Sequence, residues 1–114
     1  MDKYIPAEIG VAYFNIVYLE LLRRGYMVDI GNNSDKEIDF MAKDMNNTYY
    51  IQVSCSVIDP ATREWEVGLF KNLDDGYKKI VITMDNDPFT NLENGYKKIN
   101  MLDFLLDESS LEKA

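Results

Sequence analysis

Lys36-Glu37-Ile38-Asp39-Phe40-Met41-Ala42-Lys43, a polar Asp44-Met45-Asn46-Asn47, then Thr48-Tyr49-Tyr50-Ile51-Gln52-Val53-Ser54-Cys55: this stretch decides how the chain folds. In both flanking runs apolar and polar side chains alternate, which is the period of a half-buried strand. Ile38, Phe40 and Ala42 point one way, and Glu37, Asp39, Met41 and Lys43 the other. Tyr49, Ile51, Val53 and Cys55 lie opposite Tyr50, Gln52 and Ser54. The Asp and Asn side chains between the runs bond readily to nearby backbone N–H groups and so favour a turn. A hairpin over residues 36–43 and 48–55 is expected, with Asp39, Gln52 and Ser54 on one face.

On its N-terminal side, residues 9–24 read as a helix. Val11, Phe14, Val17, Tyr18, Leu21 and Leu22 share a broad apolar face, and Arg23-Arg24-Gly25 supplies cations in the last turn and a glycine stop. Tyr26 to Ile30 is a short strand, ended by Gly-Asn-Asn-Ser-Asp. On the C-terminal side, Asp59-Pro60 is a helix cap followed by proline at the first helical position. This helix is expected to turn Trp65, Leu69, Phe70 and Leu73 inward and to end at Asp74-Asp75-Gly76. Lys79 to Met84 is a β-branched run that reads as a buried strand, broken by Asp85-Asn86-Asp87-Pro88. Residues 96–100 add an edge strand and Met101 to Leu106 a short helix, and the tail after Asp107 is expected to fray. The order is α-β-β-β-α-β with a further small strand and helix. That order predicts an α/β fold, a mixed sheet flanked by helices.

The chain has 114 residues, which is one domain with enough surface to bury for a single core. No apolar run is long enough to cross a bilayer. Cys55 is the single cysteine, so no internal disulfide forms, and a reducing cytoplasmic setting is expected. With no histidine, Ser-His-Asp and Cys-His catalysis are excluded. The net charge of −8 counts against avid nucleic-acid binding. No phosphate-binding glycine loop is present, so neither ATP nor a dinucleotide is expected to bind.

The candidate site is the polar face of the hairpin. Asp39 has the chemistry of a Mg²⁺ or Mn²⁺ ligand, although spacing alone favours a solvated strand carboxylate. Gln52 offers a neutral oxygen, a poor ligand for a hard cation, and reads better as a partly buried residue hydrogen-bonded between strand and helix. Ser54 has no cation to offer and is expected to satisfy the strand end. Glu66, one helical turn from Thr62, lies at the margin of the apolar stripe and within reach of a shared cleft. Its simpler reading is a solvated helix glutamate. Lys43 and Lys71 are the candidates for a relocated lysine, and each reads more simply as a surface charge. Cys55 reads as a small core residue. Tyr49, Tyr50, Tyr77 and Tyr96 have rings on which bases stack, but amphipathic packing is their simpler role.

The segments Asn15 to Tyr26, Lys36 to Phe40, Tyr49 to Val53, Asp59 to Glu64 and Ile99 to Leu106, in this order, resemble the C-terminal domain of uncharacterised P-loop (AAA+-like) ATPases of bacteria and archaea, the domain of unknown function 4143. The resemblance covers residues 8–107. It implies a restriction-endonuclease-like, PD-(D/E)xK-type fold. It places Asp39 at the metal-binding Asp, Gln52 at the Glu of E-x-K and Ser54 at the Lys; a working metal site would have Asp39 as its principal ligand, Gln52 and the Val53 carbonyl completing the shell, and Glu66 or Lys71 assisting. Phe14 stands where the family often has a glutamate, and Glu20 lies too far round the helix to replace it. The function implied is a catalytically degenerate nuclease-fold module, working beside an ATPase domain in the same chain or a separate one. A separate reading is a plain interaction domain that self-associates through an edge strand or the tyrosine-rich surface. The alternative is a weak or specialised Mg²⁺- or Mn²⁺-dependent nuclease using Asp39.

Overall fold

The computed structural model describes residues 7–31, 38–71, 73, 76–86 and 90–114. The chain runs through helix α1 (Ala7–Arg23), strands β1 (Met27–Ile30), β2 (Phe40–Lys43) and β3 (Thr48–Val53), helix α2 (Pro60–Gly68), strand β4 (Lys78–Thr83), a 3₁₀ turn (Glu93–Gly95), strand β5 (Lys97–Asn100) and helices α3 (Met101–Leu106) and α4 (Ser110–Lys113). The five strands form one mixed sheet in the order β1-β2-β3-β4-β5. The pairs β1/β2 and β2/β3 are antiparallel, and β3/β4 and β4/β5 are parallel. The sequence order α-β-β-β-α-β and the mixed sheet flanked by helices are both present.

Local chemistry accounts for the breaks. Helix α1 ends on Gly25 at φ +89, a left-handed conformation that costs glycine little. The Tyr26 N–H reaches back to the Leu21 carbonyl (3.1 Å) and the Gly25 N–H to Leu22 (2.9 Å), which satisfies the last open carbonyls of the helix. The β2–β3 turn is held by Asp44, whose carboxylate accepts the N–H groups of Asn46 (2.9 Å) and Asn47 (2.7 Å). Asp59 caps α2 by accepting the Ala61 N–H at 3.3 Å, and Pro60 is its first residue. The parallel β3/β4 pair needs a crossover, and α2 lies within it.

Two apolar layers cover the sheet. On one face, Val17 and Leu21 of α1 and Phe104 of α3 pack with Phe40, Tyr49, Ile51, Ile80 and Ile82. Each of these large side chains contributes about 1.5–3 kcal/mol through removal from water. On the other face, Val67 and Phe70 from α2 pack on Val81 and Tyr96, with the Phe70 and Tyr96 rings 5.1 Å apart. Strand β4 is sandwiched between the layers, which explains its unbroken Ile80-Val81-Ile82 run.

Four expectations are corrected. Trp65 points outward and is 58% exposed, because a helix capped at Asp59 turns Glu66, Val67 and the following Phe70 inward and leaves Trp65 on the outer side. In α1, Val11 (59%) and Leu22 (43%) are exposed, so the buried stripe is narrower than the apolar one. The strand expected over residues 36–43 begins only at Phe40. Asp39 is a bend, and Ile38 packs in the α2-side layer, on the face opposite Phe40. The tail beyond Asp107 does not fray: α4 forms and Leu111 is completely buried. The expected turns at 32–35, 74–75 and 87–88, and Lys36 and Glu37, lie outside the described residues. Among the described residues no helix is long and apolar enough to cross a membrane.

Candidate functional site

The bend at Asp39 brings the start of β2 against the end of β3. The Asp39 carboxylate accepts the Val53 backbone N–H at 2.9 Å, and the Gln52 side-chain oxygen accepts the Asp39 backbone N–H at 2.6 Å. The other end of the Gln52 amide faces α2, where its nitrogen donates to Glu66 Oε1 at 3.3 Å. Gln52 is only 1% exposed. It is the buried hydrogen-bonded link between strand and helix that its position predicts, and it joins the Asp39 backbone to the Glu66 carboxylate through one neutral amide.

The electrostatics follow from that burial. Desolvation raises the Asp39 pKa above the ordinary carboxylate value, and the Val53 N–H offsets only part of this. Glu66 is pushed up to about 7, first by burial and then by the negative charge of Asp39. Glu66 is therefore buried beside the sheet, not solvated as its simpler reading had it. At neutral pH the pair carries less than two full charges, and a proton is readily held at Glu66.

The remaining sequence candidates are not in this cluster. The Ser54 hydroxyl turns into its own loop and donates to the Ser56 carbonyl at 3.0 Å, so it satisfies the strand end. Thr62 bonds the capping Asp59 (3.3 Å). Lys43 is exposed at the far end of β2, paired with Thr48 and Met27, and Lys71 is exposed beyond α2. Glu20 is tied to Arg23 and Arg24 at 2.7 and 2.6 Å. Cys55 is partly buried rather than enclosed in the core.

Mg²⁺ and Mn²⁺ prefer a shell of about six oxygens. Of the ligands that the resemblance implies, the Gln52 oxygen is taken by the Asp39 N–H, and the Gln52 nitrogen turns a donor, not an acceptor, towards Glu66. Among the described residues no three acidic, imidazole or thiolate side chains form a group able to hold a metal ion. The donor set as arranged does not fit a preformed divalent-metal centre.

The sheet also assembles polar residues that the sequence did not single out. Gln52, Val81 and Lys98 are register partners across β3, β4 and β5, so they form one row on the α2 face. Lys98 forms a buried ion pair with Asp85, Nζ to Oδ2 3.6 Å, with side-chain exposures of 8% and 3%. Asp85 also accepts the Val57 N–H (2.9 Å), and its own N–H goes to the Thr83 hydroxyl (3.1 Å). The pair thereby ties together the loops that leave β3 and β4. In sequence, Lys98 follows Lys97 beside a turn and reads as a surface charge; only the parallel neighbour β4 buries it.

No protein-family model matches the chain, and no solved structure matches it. The chain is similar to a protein of Haemophilus influenzae known only as "Uncharacterized protein", with 44% identity over 69 residues. That stretch is 60% of this chain and 16% of the relative, so the chain spans a small part of the relative's length.

Proposed function

We propose that this chain is a catalytically degenerate nuclease-fold module that acts through contacts with other protein, in keeping with its resemblance to domains that accompany P-loop ATPases. The observation that carries the reading is the Gln52 amide. By the resemblance it stands at the Glu of E-x-K, and both of its polar atoms are engaged, with the Asp39 backbone and with Glu66. The order α-β-β-β-α-β supports the restriction-endonuclease-like fold. The absence of a lysine beside Asp39 at Ser54, and the net charge of −8, support a loss of hydrolysis. On this reading the ATPase partner lies in the same chain or a separate one, and the setting is the cytoplasm.

One observation favours the alternative, a weak metal-dependent nuclease. Asp39 and Glu66 both have raised pKa values, from burial first and, at Glu66, from the negative charge of Asp39 as well, and a divalent cation favours the charged form of both. Calorimetric titration of Mn²⁺ into the wild-type chain and into Asp39→Asn separates the two readings. No saturable heat in either protein is the expected result. Heat that saturates in the wild type and disappears in D39N overturns the proposal in favour of the nuclease.

A further inference from the structure

A cavity of about 440 Å³ opens between the first turn of α2 and the segment that leads into β5. Its polar wall is Arg63, Asn91, Glu93 and Lys98, and its apolar wall includes Ile58 and Leu92. The volume is that of a small-molecule site, about 300–1,000 Å³, and exceeds what a bare inorganic ion fills.

We propose that this cavity binds a phosphate monoester with a compact apolar body, held by Arg63 and Lys98. The two cations arrive from different elements, α2 and β5, and both line the cavity. Arg63 supplies a planar fork for two phosphate oxygens, and Lys98 a point charge. Arg63 is available because its partner Glu93, at 3.4 Å, is about half exposed, and exposed pairs of this kind contribute little. Lys98 is held in place by Asp85, whose Oδ2 is itself fixed by the Val57 N–H. Ile58 and Leu92 then cover the body of the ligand. This site is separate from the Asp39 cluster and does not depend on the reading given for it.

The test is an amide NMR titration of the whole chain, at fixed ionic strength, with inorganic phosphate, thymidine 5′-monophosphate and thymidine. Saturable shifts at Arg63, Asn91, Leu92 and Lys98 with either anion, and none with thymidine, support the site. The tighter anion identifies its source, free phosphate or a nucleotide. Arg63→Ala weakens the anion about tenfold, the loss expected for one charge-assisted hydrogen bond, and Lys98→Met does the same. Arg63 is only half-buried, so R63A keeps the result readable if K98M unfolds. Equal shifts with thymidine and its monophosphate, an unchanged affinity in R63A, or no saturable shift at millimolar anion each overturns the proposal.

Discussion

Asp39 and Gln52 clasp each other across the β2–β3 hairpin. The Gln52 side chain takes the Asp39 backbone N–H at 2.6 Å, while the Asp39 side chain takes the N–H of Val53, the residue after Gln52, at 2.9 Å. The arrangement closes the hairpin at the end opposite its turn. It works only if residue 52 carries an acceptor towards β2 and a donor towards Glu66 on α2.

Gln52→Glu removes that donor and adds a charge. In place of the 3.3 Å amide–carboxylate contact, two carboxylates face each other. A loss of about 1–3 kcal/mol is expected at neutral pH, from one lost hydrogen bond and the new repulsion. With a third carboxylate present, Mn²⁺ is expected to raise the melting temperature of Q52E and to leave the wild type unchanged. Thermal melts of both proteins with Mn²⁺ and with a chelator provide the check.

Glu66 predicts an inverted pH dependence. Its pKa rises from 4.5 to about 7 on folding, so the folded chain binds more protons than the unfolded one between these values. Its contribution to stability is therefore fully present below about pH 4.5 and is lost as pH rises through 7, by no more than about 3 kcal/mol. Asp39 shifts in the same direction, whereas Glu20 and Asp107 are lowered and act in the opposite sense. The difference between wild type and Glu66→Gln isolates the effect. Denaturant midpoints across pH 4 to 8 should converge at the acid end and diverge in favour of E66Q at neutral pH.

Arg24 and Leu111 test whether the C-terminal segment belongs to the core. The Arg24 guanidinium bonds Glu20, the Ser110 hydroxyl at 3.3 Å and the Phe104 carbonyl, and it stacks 4.4 Å over the Phe104 ring. Arg24→Ala is expected to cost about 1–3 kcal/mol, because the Phe104 carbonyl loses its donor while the partly buried Glu20 keeps Arg23. Leu111→Ala should cost about 2–5 kcal/mol, as for a fully packed leucine. A frayed tail gives no loss at Leu111 in urea unfolding, so that measurement decides the matter directly.

Trp65 is the single tryptophan and lies on the outer side of α2. Its emission should match that of indole in water, with acrylamide quenching close to that of the free amino acid. Trp65→Ala should change stability by no more than about 0.5 kcal/mol. A blue-shifted, protected emission contradicts this placement.

The hairpin, the Asp59 cap and the element order were legible because they rest on period-two alternation, cap chemistry and turn residues, all local in sequence. So was the bridging role of Gln52, a polar side chain on the inner face of a strand that precedes a helix. The Asp85–Lys98 pair was not, because its burial arises from the parallel stacking of β4 and β5, which no short window contains. Trp65 misled because hydrophobicity was read without the rotation that the cap imposes. Ile38 misled because a single bend at Asp39 reverses the alternation before it. Leu111 is one apolar residue in a polar tail, too weak a pattern to reveal a helix that docks beneath Arg24 and Phe104.

The outer side of α1, with Val11, Leu19 and Leu22 open to water, bears on how copies of this chain behave in solution. Short-range attraction between these apolar patches is opposed by long-range repulsion between molecules that each carry a charge of −8. The repulsion reaches roughly 30 Å at 0.01 M salt and only about 3 Å at 1 M. On this balance charge, rather than a fully polar coat, opposes contact between copies, and raising the ionic strength is expected to weaken that opposition.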